Sequence, residues 1–169
     1  MADLVFTDTY IQHLLLMPKV VQNPGARWRE QNFSSQRNFS LLGSPGEIEF
    51  LLYQRQNMRA DDHFSCGLVL IHSSGTKVHL TRYNGSDHPH GNRLEEEEFP
   101  RSCHIHIATE RYMAAGMKPE SYAVMTTEYS TIEGAMLCLL RNCNILGFDL
   151  TGGDDDEHDD GTENQFRLL

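Results

Sequence analysis

The sequence is short of positive charge. Fourteen lysines and arginines face 24 aspartates and glutamates in 169 residues, giving a net charge of −10 and a pI near 5.3. That balance argues against a protein that coats nucleic acid or an anionic membrane. Long apolar runs are missing as well. The stretches 67–71 and 135–140 fall far below the roughly 20 residues of a membrane span. Met1-Ala2-Asp3 lacks a basic n-region, and Leu14-Leu15-Leu16-Met17 is too short for a signal-peptide core. A cytoplasmic chain with no membrane association is expected. No Cys-x-x-Cys occurs, so Cys66, Cys103, Cys138 and Cys143 are expected to be reduced and mostly buried. There is no Walker A, GxGxxG, GxSxG or HExxH motif, which disfavours nucleotide kinases, dehydrogenases, α/β-hydrolases and zincins. No basic stripe with interleaved aromatics and no internal repeat is present.

What is present suffices for one core. Hydrophobic residues are 39% and charged residues 22%, and the length suits a single globular domain, expected over 1–150. Residues 154–163 carry seven acidic groups. The tail 151–169 is therefore read as solvated and disordered, since like charges repel and little apolar surface offsets ordering entropy. It serves either as a solubilising appendage or as a nucleic-acid mimic that occupies a basic site, its own or a partner's.

Periodicity predicts an α+β fold: a mainly antiparallel sheet of about five strands, flanked by an N-terminal and a C-terminal helix. Thr7 or Asp8 can cap the first helix, Ile11, Leu14 and Leu15 mark its apolar face, and Pro18 stops it. Residues 22–36 read as a loop in which Trp28 covers an edge of the core. Two alternating runs about Ser44-Pro45-Gly46 predict a hairpin. Residues 64–71 read as a buried strand. Val78 and Leu80 continue an alternating strand that carries Arg82 to their own face and Tyr83 to the other. Residues 85–100 read as a polar loop and 101–108 as a strand. A short helix is expected between Thr109 and Gly116. Ser130-Thr131-Ile132-Glu133 is a capping-box pattern that opens the last helix, and Asn144 ends it.

Chemically capable side chains are densest between residues 82 and 112. If Cys103, Ile105 and Ile107 face the core, His104 and His106 point together from the other face, about 7 Å apart at Cα. Pairing with the strand that ends at Tyr83 would bring an arginine or tyrosine alongside them. Three chemistries fit. His104 and His106 can act as acid and base in metal-free phosphodiester cleavage, with Arg82 and Arg111 on phosphate oxygens and Glu110 as orienter. Tyr83, Asn84, Asn92 and Tyr112 are then candidates for holding substrate, although Tyr112 and Tyr122 can equally pack on the sheet. Alternatively, His88, His90, His104 and His106 supply a nitrogen-rich site for zinc or a similar ion. Or the histidines only bond neighbours and water. His72, His79 and Lys77 read as surface residues, and 95–98 as a solvated loop or a gate over the arginines.

Four segments carry a resemblance: Leu-Leu-Leu-Met-Pro-Lys (14–19), Leu-Thr-Arg-Tyr-Asn-Gly (80–85), His-Pro-His-x-Asn (88–92) and Cys-His-Ile-His (103–106). Together they resemble a group of uncharacterised small bacterial proteins and, more distantly, TumE-like toxins of toxin–antitoxin or phage-defence loci. The resemblance spans residues 10–145 and implies growth inhibition through RNA, a cognate protein partner and, as one option, a homo-oligomer. Asn84 stands where the TumE-like pattern has Asp, and the acidic tail suits an RNA-cutting toxin poorly. The leading expectation is a toxin-like, metal-independent ribonuclease without a cofactor. The alternatives are a non-catalytic, antitoxin-like inhibitor acting through its acidic tail, and a metal-binding module using the two His-x-His pairs.

Overall fold

Thr7 opens the first helix, α1 (Asp8–Leu16), by accepting a hydrogen bond from the Tyr10 N–H at 3.1 Å. Ile11, Leu14 and Leu15 are its buried face, and Pro18 prevents a further turn. The chain then runs through β1 (Lys19–Val21), β2 (Arg29–Gln31), β3 (Ser34–Gly43), β4 (Glu49–Asn57), β5 (Phe64–Ile71), β6 (Lys77–Asn84), β7 (His90–Asn92), β8 (Glu97–Phe99) and β9 (His104–Ile107). After α2 (Glu110–Ala114), β10 (Tyr122–Met125) and α3 (Ile132–Asn142) comes β11 (Ile145–Leu146). This computed structural model describes residues 4–148; the acidic segment 151–169, and the roles expected of it, lie outside the described residues.

The α+β class and the antiparallel pairing are as expected, but the sheet is larger than five strands. Among the described residues nine strands lie in the order β10-β9-β6-β5-β4-β3-β1-β11, with β2 also paired to β3, and only β1 and β11 run parallel. The strands missed are two to four residues long, too short to show a period. β2 is exposed at all three residues and is held by pairing rather than burial. The expected polar loop at 85–100 contains a separate two-stranded sheet, β7 with β8. Trp28 does not cover the core; it is 41% exposed and lies under the Arg37 guanidinium. At α3 the cap is Thr131 rather than Ser130, and its hydroxyl accepts from the Gly134 N–H. All four cysteines are free and buried. No helix among the described residues is long and apolar enough to cross a membrane.

α1 and α3 pack on one face of the sheet, where Phe39, Leu41, Phe50, Leu52, Leu68 and Leu70 complete the core. A β-bulge decides what reaches the other face. Leu68 pairs with Thr81 and Val69 with His79, so Leu80 has no opposite residue. The extra residue inverts the alternation. Val78, Leu80 and Tyr83 all enter the core, while Arg82 stands on the far side. The expectation that Arg82 shares the face of Val78 and Leu80 is thereby corrected.

Lys19 ties the helix ends together. Its fully buried ammonium donates to the carbonyls of Leu15 (2.8 Å), Met17 (2.9 Å) and Cys143 (2.9 Å). These carbonyls end α1 and α3 and would otherwise be unpaired. Burial lowers the Lys19 pKa to about 8. Lys19→Met keeps the apolar stem but leaves all three carbonyls without a donor. It is expected to cost about 3 kcal/mol, measured as a drop in the urea midpoint of unfolding.

Candidate metal centre

β6 and β9 pair so that Arg82 lies opposite His106 and Asn84 opposite His104. The arginine thus comes alongside the imidazoles, as the strand pairing required. The histidine pair is not on an open polar face, however: His104 is 0% and His106 3% exposed. Residues just before and on the β7–β8 hairpin cover them. The His90 ring stacks on His104 at 5.3 Å and meets His106 edge-on at 4.7 Å. His88 meets His104 edge-on at 5.2 Å.

One ring nitrogen from each of His90, His104 and His106 lies within 4.8 Å of the others. Backbone carbonyls fix two of the tautomers. His104 Nδ1–H donates to Ser102 O and His106 Nδ1–H to Glu120 O, each at 2.8 Å. The lone pair of each neutral ring is then on Nε2. His106 Nε2 is buried with no partner, and His104 Nε2 meets only the Asn84 amide at 3.4 Å. Asn92 orients the third ring. Its Nδ2 donates to Ala123 O at 2.8 Å and its Oδ1 accepts from Ala123 N at 2.9 Å, which identifies the oxygen end of the amide. His90 Nε2–H therefore donates to that oxygen at 3.1 Å, and the His90 lone pair is on Nδ1.

Burial is the main cause that keeps the rings neutral. It lowers the pKa of His90 and His104, and takes His106 down to about 3 with help from the neighbouring Arg82. Neutral imidazoles anchored through their other nitrogen by a carbonyl are the arrangement that metal ligation uses. Buried polar atoms without partners concentrate here. Arg82 Nε, Asn84 Oδ1 and His106 Nε2 are three of the four such side-chain atoms among the described residues.

Arg82 stands 3.7 Å from the Glu120 carboxylate, and both line a cleft of about 230 Å³ with His88, His90, Arg93, His106, Tyr112 and Lys118. The Tyr112 hydroxyl donates to Glu95 at 2.6 Å. The other sequence candidates lie elsewhere. Tyr83 points into the core, where its hydroxyl accepts from Asn142 at 2.8 Å. Asn92 is a tether for His90. Arg111 is on the exposed side of α2, paired with Glu95 and lying over Tyr122. Glu110 is exposed, with its backbone N–H bonded to Asp8. Glu95 is held by Arg111 and Tyr112 rather than free in a solvated loop.

Sequence reasoning missed Glu120, Lys118 and Tyr53. Glu120 acts partly through its backbone carbonyl, which no residue type announces. Tyr53 pairs with Gly67, which pairs with Arg82. A Cβ on Gly67 would sit 2.4 Å from the Tyr53 ring, so the missing side chain is what lets that ring lie over β5.

Compared with family models, curated proteins and solved structures, the chain gives no match, and the geometry alone carries the functional reading.

The lowered His106 pKa has a testable sign. The unfolded ring, near 6.5, takes up a proton that the folded ring refuses until about 3. The stabilising contribution is complete above 6.5 and is lost as pH falls toward 3. In chelator, the urea midpoint is expected to fall between pH 7 and 4, and to fall less steeply in His106→Asn.

Proposed function

We propose that the protein holds a divalent transition-metal ion, with zinc the best match, on His90, His104 and His106. In this reading it uses the ion against an anionic ester, with the phosphodiester of RNA as the candidate substrate. The observation that carries the reading is the buried, unpartnered Nε2 of His106, in a cluster where one ring nitrogen from each of His90, His104 and His106 lies within 4.8 Å of the others. Three nitrogen ligands leave a fourth position for water, as in catalytic zinc sites. A bound ion would make that water a nucleophile near neutral pH. Arg82 stands beside the cluster, where its guanidinium can donate to an anionic oxygen, and its Nε–H has no partner.

A metal-free ribonuclease fits less well. It needs one imidazole to carry a proton at neutral pH. His106, held near 3, does not, and His104 is lowered as well. The Nδ1 atoms of both rings are already committed to backbone carbonyls. The resemblance to TumE-like toxins supports RNA as the substrate and growth inhibition as the outcome, with a cognate protein partner as part of the same reading.

Protein purified without chelator is expected to contain about one zinc-group ion per chain by mass spectrometry. Cobalt exchange should give a visible ligand-field spectrum. His104→Ala and His106→Ala should each bind the ion at least about 100-fold more weakly, while His88→Ala retains it. Sub-stoichiometric metal in the native protein, or full retention in His106→Ala, would refute the reading.

A further inference from the structure

The register across the sheet assembles a surface that the linear sequence hides. One row of paired residues runs Arg29, Gln36, Arg55, Ser65, Asn84, His104, on β2, β3, β4, β5, β6 and β9. The adjacent row on the same face runs Asn38, Tyr53, Gly67, Arg82, His106, on β3, β4, β5, β6 and β9. Residues directly paired share a face, and so do residues two apart. Both rows lie opposite the core, and both end at the imidazole cluster.

Neither row contains a carboxylate. Both carry cationic or polar side chains, and the second row adds the Tyr53 ring, although the chain as a whole carries −10. Arg29, Arg55 and Arg82 stand on β2, β4 and β6, every second strand. At about 4.8 Å per strand they are about 10 Å apart. From Arg29 to His104 is five strand spacings, about 24 Å. Arg29 and Arg55 are exposed, Tyr53 and Arg82 half-buried. Arg55 is held to the sheet by the Ser34 hydroxyl at 3.5 Å. Glu120, above Arg82, is the carboxylate that meets the track, at the edge of the cluster.

We propose that this face, exposed at Arg29 and Arg55 and covered by the β7–β8 hairpin at its histidine end, binds single-stranded nucleic acid laid across the strands. Arg29, Arg55 and Arg82 contact successive stretches of backbone, and Tyr53 offers a ring on which a base stacks. The track accommodates about four nucleotides, the lower end of the range for single-strand sites. It delivers the strand to the His90–His104–His106 cluster. The proposal deepens the preceding reading and rests on it only for the chemistry at the strand's end. The bulge at Leu80 belongs to the argument, because without it Arg82 would be in the core and the track would stop at β4.

The test is fluorescence anisotropy of the full chain with a labelled oligouridine of about twelve nucleotides, in low salt, with and without chelator. Arg29→Gln combined with Arg55→Gln should weaken binding about tenfold or more. It should also lower the salt slope by about 0.7 for each arginine removed. Tyr53→Leu should weaken binding while leaving the salt slope unchanged. Metal content is measured on the same preparations and should not move in these variants, since neither arginine touches the cluster. Strand binding that survives chelation supports the track even if the metal reading fails. Unchanged affinity in the double-arginine variant overturns the proposal. So does equal binding of an RNA duplex or of poly-glutamate, which would mean that the face reads charge alone.

Discussion

One extra residue in β6 sets the chemistry of the whole face. A regular strand would send Leu80 and Arg82 to the same side, and the guanidinium would be buried among Leu68 and Leu70. The bulge lets two consecutive turns of the pleat satisfy different demands: Leu80 and Tyr83 fill the core, and Arg82 meets His106 across the β6–β9 ladder. Bulges are common where a sheet must re-aim a side chain near a site. Here the re-aimed residue sits beside three imidazoles, and its positive charge helps to keep His106 neutral.

The cluster is assembled from two structural units. β9 supplies His104 and His106 from the main sheet, while β7 brings His90 from a hairpin that forms its own small sheet. Backbone carbonyls at Ser102 and Glu120 fix the first two rings, and a side-chain amide fixes the third. Each ring is thus oriented by a group on or close to a strand: Ser102 just before β9, Glu120 just before β10 and Asn92 on β7. Pre-set orientation of this kind lowers the ordering cost of gathering ligands. Burial does the rest, since it removes the proton that would compete for the lone pair.

Much of the frame was legible from residue pattern. α1, the β3–β4 hairpin, β5 and α3 follow from apolar periods and turn chemistry in long segments, which are the most strongly patterned parts of the chain. The short edge strands were not legible, because three residues such as Arg29–Gln31 carry no period. His104 and His106 were legible as a same-face pair from their alternation with Ile105 and Ile107. Their burial was not, because it depends on a hairpin that reads as a polar loop. Tyr83 was misassigned for one reason: a bulge breaks the parity on which strand reading depends, and nothing in Val78-His79-Leu80-Thr81 marks it. The track of Arg29, Arg55 and Arg82, spread over two adjacent rows, was invisible for a different reason. Its members are more than twenty positions apart, and only the register unites them.

Asn92 has a role beyond orienting His90. Among the described residues β10 is the last strand of the sheet on that side, and an outermost strand presents free backbone donors and acceptors that invite a foreign chain to add on. The Asn92 amide engages both the N–H and the C=O of Ala123, imitating one residue of a neighbouring strand. At that one position the margin offers an incoming strand neither donor nor acceptor, because a side chain already occupies both.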